Sequence, residues 1–84
     1  MNLLFTSESW EEYLYWQKTN KQILQRINQL IKDIQRDAFK GIGKPEPLKH
    51  QLHGCWSRRI NQEHRLVYEA VEKEIRIISC RFHY

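Results

Sequence analysis

Ile23, Ile27, Leu30, Ile31 and Ile34 recur at helical spacing in the first half of the chain. An α-helix alone gathers that spacing into one stripe. The opposite face is Gln, Asn, Lys and Arg, so this helix lies on a core rather than inside one. Thr19 with Gln22 three residues on reads as its capping box. A shorter helix precedes it, with Ser7 as the expected N-cap and Trp10, Tyr13, Leu14 and Gln17 on its inner face. Leu3-Leu4-Phe5 before it reads as an opening strand. Residues 40–47 hold both prolines and two of the three glycines and break the helical pattern. Beyond them, 51–60, 64–71 and 75–82 read as strands, separated by Asn61-Gln62-Glu63 and Glu72-Lys73-Glu74. Interruptions that short imply antiparallel hairpins. The expected class is α+β, with two N-terminal helices packed on a small, mostly antiparallel sheet.

The chain has 84 residues, enough for one core, so residues 1–84 are read as a single domain. A content of 40% hydrophobic and 29% charged residues argues against disorder. No apolar run approaches a membrane span, no secretory signal is visible at the N-terminus, and two cysteines make no disulfide scaffold. The expected compartment is the cytoplasm. Residues 1–37 and 66–84 are each electrically balanced. Residues 38–65 carry Lys40, Lys44, Lys49, Arg58, Arg59 and Arg65 against only Glu46 and Glu63, so this segment holds the whole net charge of +4. A focused basic segment suits an anionic partner, with RNA or DNA first among them.

Strand parity sharpens this expectation. With two three-residue loops, Arg59 faces Arg65 and Arg65 faces Arg81, with His83 further along the same face. The other face then carries Trp56, Ile60, Leu66, Tyr68, Ala70, Ile78, Cys80 and Phe82. Facing arginines destabilise an empty protein, which is tolerable where a phosphate binds among them. The chain has no phosphate-binding glycine loop, no His-Glu-x-x-His and no Cys-x-x-Cys. His50, His53 and His64 lack metal-site spacing, so neither metal nor cofactor is expected. A carboxylate, arginines and a histidine remain, and these suffice for metal-free RNA cleavage. A base takes the ribose 2′-OH proton, cations stabilise the phosphorane, and an acid protonates the leaving 5′-oxygen. Glu46, held between Pro45 and Pro47, is the candidate base, and the extended backbone before a proline presents it outward. His83 is the candidate acid, and Tyr84 offers an aromatic face for a base. The same basic segment would equally serve an RNA-binding module that acts by occupancy without cleaving.

Lys44-Pro45-Glu46-Pro47-Leu48-Lys49-His50, Trp56-Ser57-Arg58-Arg59-Ile60, Glu63-His64-Arg65-Leu66-Val67-Tyr68 and Cys80-Arg81-Phe82-His83-Tyr84 resemble the YoeB toxins of the RelE-like family. Glu8-Ser9-Trp10 and Tyr13-Leu14-Tyr15-Trp16-Gln17 extend the resemblance to the N-terminus. It implies a microbial-ribonuclease-like α+β fold and a type II toxin restrained by a YefM-like antitoxin. It further implies a homodimer that enters the 70S ribosome and cuts mRNA in the A site, leaving 2′,3′-cyclic phosphate and 5′-hydroxyl ends. By that resemblance Glu46 is the base, His83 the acid and Arg65 the transition-state cation, while Tyr84 shapes the site. Lys44, Lys49, Arg59 and Arg81 are the expected RNA contacts.

Overall fold

The computed structural model describes residues 1–82. In chain order the elements are β1 (Asn2–Phe5), α1 (Ser7–Thr19), α2 (Lys21–Arg36), β2 (Glu46–Pro47), β3 (Trp56–Arg59), β4 (Arg65–Val71) and β5 (Glu74–Ser79). The five strands form one sheet in the order β1-β5-β4-β3-β2, in which only the β1–β5 pair is parallel. Both helices cover one face. This is the expected α+β architecture, with a short additional edge strand where a loop was expected around Glu46.

Helix α2 buries its predicted stripe: Ile27, Leu30 and Ile34 are fully buried, each contributing about 2 kcal/mol of apolar burial. They meet Leu66, Tyr68, Ile75 and Ile77 from the sheet and Trp16 from α1. The two helix starts each differ by one residue from expectation. Thr6, not Ser7, caps α1, its hydroxyl accepting the Ser9 N–H at 3.0 Å. Asn20, not Thr19, caps α2 and accepts from the N–H groups of Gln22 and Ile23. Thr19 instead turns its hydroxyl back to the Tyr15 carbonyl. The inner face of α1 is Ser9 and Trp16, with Tyr13 packed half-buried against the core as expected, whereas Trp10 and Gln17 are exposed and Trp10 stacks on Tyr13.

The first hairpin has the expected register, with Arg59 opposite Arg65. The Asn61 side chain closes its loop by accepting the N–H groups of Glu63 and His64. The second hairpin differs. Its turn is only Glu72-Lys73, with Glu72 in the left-handed region at φ 52°, and Glu74 already belongs to β5 opposite Val71. This reverses the parity of β5, so Ile75 and Ile77 face the core. A bulge then skips Ile78 and sets Ser79 opposite Val67, which restores the expected parity and buries Cys80. Burial, reinforced by nearby Glu12, pushes the Cys80 thiol up to about 12. Phe82, expected inside, is exposed, because its backbone turns at φ 65°.

Candidate active site

The helix-free face of the sheet carries the site, and its register places the residues. Glu46 on β2 pairs with Ser57 on β3, and Ser57 pairs with Val67 on β4. Paired residues share a face, as do residues two apart along a strand. Glu46, Ser57, Arg59, Arg65 and Val67 therefore lie on one side. Strand spacing and rise put the Glu46 and Arg59 backbones about 8 Å apart, within reach of one bound phosphodiester between their side chains. Ser57 and Val67 are buried and form the floor, whereas Glu46 and Arg59 are exposed.

The segment that leads to Glu46 is fixed from below. Arg58, fully buried on the helix side of β3, donates to Asp33 at 2.5 Å and to the Asp37, Lys40 and Ile42 carbonyls and the Tyr68 hydroxyl. Tyr68 in turn donates to the Ala38 carbonyl at 2.6 Å. Hydrogen bonds from the Arg36 side chain, the Ile42 N–H and Arg58 hold the Asp33 carboxyl well below the usual carboxylate range. Gly43 then lies flat on β3. Its carbonyl accepts the Arg59 N–H at 2.7 Å, and a Cβ on it would come within 2.8 Å of Leu30. Lys44 follows, exposed and with φ 51°, and Pro45 leads into Glu46. Lys49 is exposed at the start of the 3₁₀ turn His50–Leu52, where a strand had been expected from residue 51.

Arg59 and Arg65 have no carboxylate partner among the described residues. Arg65 is oriented by its own hairpin, its Nη1 donating to the Asn61 carbonyl at 3.1 Å. Arg26 of α2, passed over in the sequence as one more polar-face cation, lines the same cleft as Arg59, Asn61, Gln62 and Arg65. Arg81 does not join this group. Its guanidinium lies 3.7 Å from the Tyr15 ring centre, in a cleft of α1 with Glu11, Glu12 and Lys18, because the chain beyond β5 leans on that helix. Arg58, counted in the basic segment, is internal and neutralised by Asp33. His83 and Tyr84 lie outside the described residues. The chain reaches Phe82 beside Arg65: the Phe82 carbonyl accepts the Arg65 N–H at 2.9 Å, and its own N–H donates to His64 Nδ1 at 2.7 Å. His64 was weighed in the sequence only as a metal ligand. No group of three His, Cys, Asp or Glu side chains converges among the described residues.

Two helices on one face of a five-stranded sheet, with a basic open face around an edge carboxylate, make an architecture shared with solved bacterial toxins. The family model for the YoeB-like toxin of bacterial type II toxin–antitoxin systems matches residues 5–84. Toxin YoeB of Synechocystis is 61% identical over 84 residues, covering all of this chain and 98% of its own. The structure of a YoeB/ParE toxin from Agrobacterium tumefaciens superposes with a TM-score of 0.98 at 46% identity and full coverage of both chains. The Staphylococcus aureus YoeB in its complex with YefM matches at a TM-score of 0.93 and 49% identity, covering all of this chain and 98% of its own; that toxin is also known as a dimer. This chain belongs to the YoeB-like family of type II toxins.

Proposed function

We propose that this toxin is a ribosome-dependent mRNA endoribonuclease that cuts in the A site by general acid–base catalysis. Glu46 takes the 2′-OH proton, and the freed oxygen attacks the adjacent phosphorus. Arg65, with Arg59 beside it, stabilises the charge that develops on the phosphorane. His83 protonates the departing 5′-oxygen, leaving a 2′,3′-cyclic phosphate on one fragment and a 5′-hydroxyl on the other. Tyr84 shapes the site, and Lys44, Lys49 and Arg81 hold RNA around it. Arg81 would act from the α1 side, apart from the facing arginines. The observation that carries this reading is the register that sets Glu46 on the same open face as the unpaired Arg59–Arg65 couple.

The likeness to the S. aureus toxin supports a YefM-like antitoxin and a homodimer as the partners of this chain. No helix among the described residues is long and apolar enough to cross a membrane, and the proposed ribosomal target places the toxin's work in the cytoplasm. Brief expression followed by mapping of transcript 5′ ends, with end-group analysis, tests the reading. The expected result is 5′-hydroxyl ends confined to translated frames at fixed codon positions. Cuts scattered outside reading frames would mark a free ribonuclease. Full growth arrest by a Glu46→Ala/His83→Ala double variant, with intact transcripts, would mark a toxin that acts by occupancy.

A further inference from the structure

Past β5 the chain loses the support of the sheet on its β1 side, since β1 ends at Phe5 opposite Ile77. Side chains take over one residue at a time. Glu12 accepts the Cys80 N–H at 2.8 Å, and the Trp16 indole N–H donates to the Cys80 carbonyl at 2.9 Å. The Arg81 guanidinium stacks on Tyr15. Phe82 is held through its backbone, between His64 Nδ1 and the Arg65 N–H, while its largely exposed ring lies 5.9 Å from the His64 ring centre and 4.6 Å from the Arg81 guanidinium.

His64 is an unusual tether. It is only 9% exposed, and its imidazole packs edge-on against Trp16 with ring centres 4.8 Å apart. The Asn61 side chain and the hairpin bonds of Ile60 fix its backbone. The group it faces is a backbone N–H, which can only donate, so Nδ1 presents a lone pair and the neutral ring carries its proton on Nε2. That lone pair is engaged, so His64 is not itself placed to exchange a proton with RNA at Nδ1. The backbone that it holds precedes His83 directly, and it turns at Phe82 through a left-handed conformation that is uncommon for a non-glycine residue.

We infer that His64 is a positioning residue for the cleavage step: by accepting the Phe82 N–H it fixes the turn at Phe82, beside Arg65, from which the chain continues to His83. The inference rests on the proposed role of His83 as general acid. Small misplacement of a catalytic group is costly, on the order of a hundredfold in rate for about 1 Å.

The test uses His64→Phe, which keeps a ring against Trp16 but has no acceptor, and His64→Asn, whose Oδ1 reaches the Nδ1 position. On programmed 70S ribosomes His64→Phe is expected to lower kcat about 100-fold with KM little changed, and His64→Asn to recover about tenfold of that loss. An mRNA with a sulfur-bridged 5′ leaving group in the A-site codon needs no acid. It should relieve His64→Phe and His83→Ala alike. Exchange of the Phe82 amide should be about tenfold or more faster in His64→Phe than in the parent, and slow again in His64→Asn. Unchanged cleavage by a folded His64→Phe overturns the inference, and so does unchanged Phe82 exchange. A His64→Phe defect that persists on the sulfur substrate while that of His83→Ala is relieved also overturns it. If the sulfur substrate fails to relieve His83→Ala, the acid assignment falls instead, and Phe82 exchange alone then decides whether the tether exists.

Discussion

Arg58 and Arg59 are neighbours in sequence and opposites in the fold. Arg58 points into the helix side of the sheet, is fully buried, and spends its donors on a carboxylate, three carbonyls and a phenol. Arg59 points to the open side, exposed, opposite another arginine and with no carboxylate partner among the described residues. One guanidinium holds the loop that leads to Glu46; the other faces solvent. A count of charges along the chain treats them alike, and only the two-residue period of β3 separates them.

The largest effect should come from the open side. Glu46→Ala is expected to lower mRNA cleavage by about 10²–10⁴-fold while the melting temperature stays close to that of the parent; toeprinting on programmed ribosomes gives the first quantity and a thermal melt the second. The buried side should show the reverse. Arg58→Met is expected to cost about 3 kcal/mol of stability, seen as a melting temperature lower by roughly 10–20 °C, because the loop carbonyls and Asp33 lose their shared donor. A stable Arg58→Met protein with normal cleavage would break the contrast.

Arg59→Gln should separate the two sides further. Removing one of two facing cations leaves stability equal or raised by about 0.5 kcal/mol, while binding to RNA or ribosomes weakens and its logarithmic salt slope falls by about one. Asp33 gives the smallest and most conditional effect. Its folded carboxyl titrates below its unfolded value, so the folded state binds fewer protons between the two. Its contribution is therefore complete above the unfolded carboxylate value of about 3.9 and drains away as the pH falls toward the folded one. Denaturant midpoints measured from pH 5 downward should fall more steeply in the parent than in Asp33→Asn.

What the sequence discloses follows from how local each determinant is. The stripe of α2 is legible because five residues repeat one period, and the first hairpin because Asn61 closes a three-residue loop with its own side chain. The second hairpin is not, since a glutamate at φ 52° carries no glycine or asparagine signal, and a bulge at Ile78 leaves no compositional mark. The helix caps go astray by one residue because Thr6-Ser7 and Thr19-Asn20 each offer two competent acceptors, and packing chooses between them. Glu46 stands out through its prolines, and Arg59 and Arg65 through parity. Arg81 is misplaced because nothing local says that the chain beyond β5 will lean on Tyr15. Arg26 and His64 matter through partners 30 or more and 18 residues away, and such separations leave no pattern along the chain.

The single parallel pairing in the sheet has a consequence for the order of events in making this protein. Strand β1 is the first to be synthesised, yet among the described residues its one neighbour is β5, the last described strand in chain order, with Asn2 matched to Glu74. A nascent chain can wind both helices early, since their contacts are local, but it has nothing on which to close the sheet until β5 has been made. Cys80, Arg81 and Phe82, whose backbone or side chains are tied to Glu12, Trp16, Tyr15, His64 and Arg65, come later still. Closure of the sheet is thus deferred until β5 has been made, and the open face is completed only after both helices have formed.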